Sequence, residues 1–202
     1  MTPEPSLWMR KVAEDPGHSG WYVERFRRLR LDGVDISGEA RTVDAMLERG
    51  SLVLDAGCGG GRVAGYLHAV GHDVVGVDVD PVLVQAAEAD YPGPRWVVAD
   101  LADLDLAAHG IPQRFDAIVC AGNVLTFCAP STRRDVLDRF AAHLASDGRI
   151  VVGFGTDRGY PVAEFLDDVA AVGLVAELLL STWDLRPYAA DADFLVALLR
   201  RG

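Results

Sequence analysis

Two carboxylates and a run of glycines are the residues here whose types and spacing could do chemistry. Asp55 is followed by Gly57, Gly59, Gly60 and Gly61, and Asp78 stands further on. The apolar run Leu52-Val53-Leu54 before Asp55 fits a buried strand, and Val63, Tyr66 and Leu67 after the glycines fall at helical spacing. The order is strand, glycine turn, helix. Glycine lets the backbone approach a ligand closely, and the helix start offers unpaired N–H groups and a positive dipole end. A second strand, Asp73-Val74-Val75-Gly76-Val77, ends in Asp78. In a doubly wound sheet that acid lies beside the glycine turn and can accept two ribose hydroxyls. The chemistry implied is the holding of a ribose-bearing cofactor. The plainer reading is a tight turn of any α/β protein.

Two cofactor classes use this layout. The dinucleotide fingerprint G-x-G-x-x-G fails when counted from Gly57, because Arg62 takes its last place. Counted from Gly59 it reads Gly59-x-Gly61-x-x-Ala64, which a relaxed pattern allows. The pattern Asp55-x-Gly57-x-Gly59-x-Gly61 needs no such adjustment, and it resembles motif I of the class I S-adenosylmethionine (SAM)-dependent methyltransferases. Residues 95–101, ending in Asp100 and Leu101, resemble that family's third strand. Residues 115–121 resemble its fourth strand, and 144–152 its helix end, turn and fifth strand. The resemblance spans about residues 51–199.

That resemblance implies SAM as cofactor, with S-adenosylhomocysteine (SAH) as product, and it implies residue roles. Gly57 and Gly59 admit the methionine end, and Asp55 orients the loop or a bound water. Asp78 holds the ribose and Val79 packs on adenine. Asp100 accepts from the adenine amine, and the Leu101 N–H meets the ring. The Ala121 carbonyl accepts from the methionine amine. Arg62 pairs with the methionine carboxylate or is simply a solvent-facing helix residue. The sulfonium methyl is already activated, so the protein mainly aligns the acceptor and excludes water. No catalytic residue is assigned and no triad is visible.

The acceptor pocket is expected from loops 121–130, 154–160 and 181–192, at the same sheet edge. Candidate substrate residues are Tyr22, Asn123, Trp183, Arg186 and Tyr188. Each has a plainer reading. Asn123 could bond its own turn, Trp183 could cap the core, and Arg186 could pair with Asp184 or Asp191. The expected function is methyl transfer to a small molecule. The alternatives are a nicotinamide-dependent oxidoreductase, for which no Tyr-x-x-x-Lys pair exists, and a SAM-binding protein without catalysis.

The elements that must position these residues alternate between helix and strand. This implies an α/β, Rossmann-like, doubly wound sheet with helices on both faces. The resemblance supplies seven mostly parallel strands in the order 3-2-1-4-5-7-6, the last antiparallel. Residues 51–202 form the cofactor domain. Residues 1–50 read as a helical lid: one helix capped by Ser6 and ended at Asp15-Pro16-Gly17, a second capped by Ser19, and a third over 37–48. Arg25, Arg27, Arg28 and Arg30 form a solvated face or a contact to the cofactor carboxylate. Thr132-x-x-Asp135 is a capping-type start for a helix over 132–145. Residues 103–113 read as loop with room for a turn of helix.

The 202 residues carry a formal charge of −11, so phosphate backbones are repelled and nucleic acid is not the expected partner. No apolar signal segment or membrane span is legible. Cys58, Cys120 and Cys128 lack metal spacing and read as reduced thiols of a cytoplasmic protein, and His68 and His72 do not share a helical face. No metal site is expected.

Overall fold

The computed structural model describes residues 4–111 and 114–202. Its strands are β1 (Leu52–Ala56), β2 (Asp73–Asp78), β3 (Arg95–Val98), β4 (Phe115–Cys120), β5 (Leu144–Gly155), β6 (Leu174–Leu180) and β7 (Phe194–Arg201). They form one sheet in the order β3-β2-β1-β4-β5-β7-β6. The first five are parallel, and β7 runs antiparallel to both β5 and β6. The expected order and the reversed last strand are what the structure has. β1 and β4 are almost wholly buried, as parallel strands covered on both faces must be.

The helices are α1 (Leu7–Glu14), α2 (His18–Leu31), α3 (Gly38–Asp44), α4 (Arg62–Ala69), α5 (Pro81–Asp90), α6 (Val124–Phe127), α7 (Arg133–His143) and α8 (Val162–Ala171). Val53, Val119 and Val151 face an apolar cluster completed by α3 and α4. Leu54, Ile118 and Ile150, one residue along each strand, face a second cluster completed by α7 and α8. Adjacent strand residues point to opposite faces, and this sorts the core into two layers.

Several boundaries differ from the sequence reading. Ser19 lies inside α2, and its hydroxyl bonds Asp80 instead of capping. α3 stops at Asp44, short of Glu48. A three-ten turn, Pro130–Thr132, precedes α7, and the Thr132 hydroxyl donates to the Ala129 carbonyl instead of capping. β5 begins at Leu144, which pairs with Phe115 before the register shifts to Ala117 and Arg149. Leu101–Asp103 forms a three-ten turn that ends where the expected loop begins, Ala107–His109 forms the turn of helix within it, and its last residues, Pro112 and Gln113, lie outside the described residues. The short helix α6 has no counterpart in the sequence reading.

Candidate active site

The turn from β1 to α4 is built by glycines that serve different ends. The N–H groups of Gly57 and Cys58 both donate to the Val77 carbonyl, at 2.8 and 2.9 Å, which ties the turn to β2. Gly57 has φ +79°, and a Cβ there would lie 2.4 Å from Val124 Cγ2. Gly61, at φ +85°, caps α4, and its Cβ would lie 2.8 Å from that of Ala87. The first glycine therefore leaves room for the β4 loop and the last for α5.

Asp78, at the end of β2, is buried. Its Oδ2 accepts the Gly59 N–H at 2.9 Å and its Oδ1 accepts the Asp80 N–H at 3.0 Å. Each oxygen keeps a further acceptor site. Burial pushes the carboxyl up to about 6, against the lowering effect of the backbone donors. Asp55 is pushed up to about 7, again by burial, and its Oδ2 accepts the Ala64 N–H of α4 at 2.9 Å.

A cleft of about 630 Å³ opens over this edge of the sheet. Gly57, Gly59, Asp78, Val79, Asp100 and Leu101 line its sheet side. Asp100 Oδ1 accepts the Ala102 N–H at 2.9 Å. Trp8 of α1 and Tyr22 of α2 close the opposite side, with Val124, Phe127 and Cys128 at the β4 end. Trp8 meets Tyr22 and Phe127 edge-on, with ring centroids 5.3 and 5.7 Å apart. The Tyr22 ring lies 3.4 Å from where a Gly59 Cβ would stand. Burial raises the Tyr22 phenol and pushes the Cys128 thiol up to about 12, so both stay protonated near neutrality.

Of the other residues that the sequence reading named, the side chains of Arg62, Asp55, Ala121 and Asn123 do not line the cleft. Arg62 is held by both carboxylate oxygens of Glu39 and by the Ile36 carbonyl, and its guanidinium stacks over Phe26. It is neither solvent-facing nor on the cleft, because α3 supplies a buried acid. Asp55 lies beneath the turn. Ala121 is buried with the α3–α4 layer, and its neighbour Gly122 lines the cleft. Asn123, at φ +70°, pins β4 to β5: its Oδ1 accepts the Gly155 N–H at 2.7 Å and its N–H reaches the Gly153 carbonyl.

Trp183, Arg186 and Tyr188 do not line the cleft, which corrects that expectation. Their loop folds back on β6 through the Leu180–Pro187 bridge. Trp183 packs in the α3–α4 layer with its ring against Gly153, and its carbonyl accepts from Thr42 at 2.6 Å. Arg186 is exposed and reaches only Asp184, at 3.4 Å. Tyr188 packs against the α7–α8 layer. β6 lies at the far edge of the sheet, with β5 and β7 between it and the cleft strands. The basic run on α2 is also occupied: Arg27 pairs with Asp90 and Glu24, and Arg30 stacks on Tyr91.

Trp8 and Phe127 line the cleft and Asp80 bonds Trp8, and none of the three was named in the sequence reading as a residue of the site. Trp8 and Phe127 stand in short helices without motif character. Asp80 was legible only as a helix cap, which it is, since Oδ1 accepts the Val82 N–H at 2.9 Å. Among the described residues no group of three or more His, Cys, Asp or Glu is arranged to hold a metal. No helix among them is long and apolar enough to cross a membrane.

With the geometry in place, the comparisons with known proteins are consistent with one another. Residues 53–148 match the family model described as a methyltransferase domain. The chain is 45% identical to a TehB-like SAM-dependent methyltransferase from Corynebacterium glutamicum of known structure. That match has a TM-score of 0.88 and covers 93% of this chain and 100% of the other. It is 35% identical over 111 residues to a ribosomal protein L11 methyltransferase of Laribacter hongkongensis, covering 54% of this chain and 34% of that protein. It is 29% identical over 129 residues to a trans-aconitate 2-methyltransferase of Methylobacterium radiotolerans, covering 63% of this chain and 46% of that protein. The matches thus span less than half the length of these two curated relatives.

Proposed function

The chain belongs to the class I SAM-dependent methyltransferases, and from that premise we propose that it methylates a small molecule held beneath its own N-terminal helices. The observation that carries this reading is the roof of the cleft. Trp8 and Tyr22 stand opposite Gly57, Gly59 and Asp78 across a half-open, largely apolar cleft of about 630 Å³, the solvent space at its mouth included. A cleft lined mostly by apolar side chains, with a few polar groups among them, suits small-molecule ligands. The charge of −11 weighs against an RNA acceptor, because phosphate would be repelled. The named relatives act on a ribosomal protein in one case and on trans-aconitate in another, and the roofed cleft favours the second kind.

The residues present fit the cofactor. Gly57 and Gly59, both at positive φ, put a turn without side chains of its own on the wall of the cleft. Asp78 would accept the two ribose hydroxyls with its remaining acceptor sites, and Asp100 Oδ2 would accept the adenine amine. Val79 and Leu101 would pack on the base, and the Ala121 carbonyl would receive the methionine amine. Tyr22, protonated, would donate from above the turn. Bound there, SAM supplies an activated methyl group. Besides Asp78 and Asp100, the titratable groups on the cleft are the Tyr22 phenol and the Cys128 thiol, both kept protonated by burial. The chain's contribution is therefore to orient the partners and exclude water, and the acceptor must bring its own lone pair. The three cysteines are free and buried, which suits a reducing, cytoplasmic setting.

Release of SAH tests the reading. Small-molecule fractions of a cell extract should support it with the full chain, and ribosomal RNA and ribosomal proteins should not. Turnover confined to the macromolecular fractions overturns the small-acceptor reading and leaves the family untouched.

A further inference from the structure

The cofactor cleft is walled on one side by α1 and α2; the far end of α2 is fastened to the body by Arg27 on Asp90 and Arg30 on Tyr91, whereas α1 and the first turn of α2 meet it at one carboxylate. Asp80 is 1% exposed. Its Oδ1 caps α5, and its Oδ2 receives both the Trp8 indole N–H, at 2.9 Å, and the Ser19 hydroxyl. One oxygen thus holds α1 and α2 together. The Asp80 N–H donates to Asp78, the acid at the ribose position, so tie and cofactor contact share one residue's peptide and side chain. α1 itself has no buried residue. Its other side-chain tie to the main body runs through the segment just before it, where Glu4 takes the Ser131 hydroxyl and Arg10 in an exposed setting. Exposed polar contacts of that kind hold weakly. An element with little buried surface opens at low cost compared with the sheet beneath it.

We propose that Asp80 is a positioning residue that latches α1 and the first turn of α2 over the cleft, so that cofactor enters and leaves as its bonds to Trp8 and Ser19 break and re-form. The cofactor turn stays fixed during this exchange, because Asp78 and Gly59 are held by backbone donors and not by the lid. The proposal concerns passage of the cofactor and does not depend on which acceptor is methylated.

The test is the rate of exchange of radiolabelled SAH with the full chain, in Trp8→Phe, Ser19→Ala and Asp80→Asn. Phe keeps an aromatic six-membered ring and removes the indole donor with its five-membered ring, whereas Ser19→Ala removes a hydroxyl alone. A hydrogen bond to a buried carboxylate is strong enough that its loss should raise both the association and the dissociation rate by about tenfold or more. An ordinary wall contact would raise dissociation alone, and that pattern, or two unchanged rates, overturns the latch. A second measurement needs no variant. In wild-type protein without ligand, amides of 7–21 should exchange with solvent faster than those of β1 and β4, and SAH should slow them at least about tenfold. Equal exchange with and without SAH also overturns the proposal.

Discussion

Acidification should strip the cofactor from a protein that is still folded. Burial holds the Asp78 carboxyl at about 6, above its ordinary 3.8. The ionised form is the better acceptor for ribose hydroxyls, through charge-assisted bonds of about 1.5–3 kcal/mol. At about pH 8 nearly all of Asp78 is ionised, and at about pH 5 only about one tenth is, so the SAM dissociation constant should rise about tenfold between them. Stability moves the other way. Asp78 and Asp55 both have folded values above their unfolded ones. The native state therefore holds protons that the unfolded chain releases between about pH 4 and pH 7, and these two groups add stability as pH falls through that window. Titration calorimetry with parallel thermal melts separates the two effects, and Asp78→Asn should bind at least about tenfold more weakly and lose most of the pH dependence. A wild-type affinity unchanged from about pH 8 to pH 5 would refute the reasoning, as would an Asp78→Asn protein that binds as tightly as wild type.

Three further outcomes follow from the packing. Gly57→Ala must place a Cβ 2.4 Å from Val124 at φ +79°, and should lose about 2–4 kcal/mol together with measurable SAM binding; Val124→Ala beside it should recover only the steric part, as read by melting temperature. Arg62→Ala should lower stability by about 1–3 kcal/mol, because it leaves Glu39 less than one fifth exposed without its partner, while SAM affinity by calorimetry stays within about threefold. Trp183→Ala should cost about 2–3 kcal/mol in denaturant unfolding, because its ring fills the layer against Gly153, and turnover per folded molecule should be unchanged.

What was legible in the sequence is what local chemistry dictates. The Asp55 to Gly61 turn needs its glycines for φ and for close approach, and Asp78 must end a strand beside it, so both could be read from spacing. Ser6 and Asp80 cap helices within their own segments, and both caps are present. The contacts that escaped join residues far apart in the chain. Nothing around Arg62 announces that Glu39 will reach it, and nothing around Trp8 announces Asp80, 72 positions away. The loop after β6 leaves the sheet at the correct end, which is why its aromatic residues were attractive. Its distance across the sheet follows from strand order, and its fold-back follows from the Leu180–Pro187 bridge. Asn123 illustrates the limit well: a turn residue by type, it spends its side chain on the Gly155 N–H of another strand.

The most direct measurement is the destination of the methyl group. The full chain is incubated with methyl-labelled SAM and a whole-cell extract, and the extract is then divided by size and treated with nuclease or protease. Label should appear in the small-molecule fraction, insensitive to both treatments, and a saturating excess of SAH should suppress it. Label recovered in RNA or protein, and released by the matching enzyme, would contradict a methyltransferase that encloses its acceptor beneath Trp8 and Tyr22.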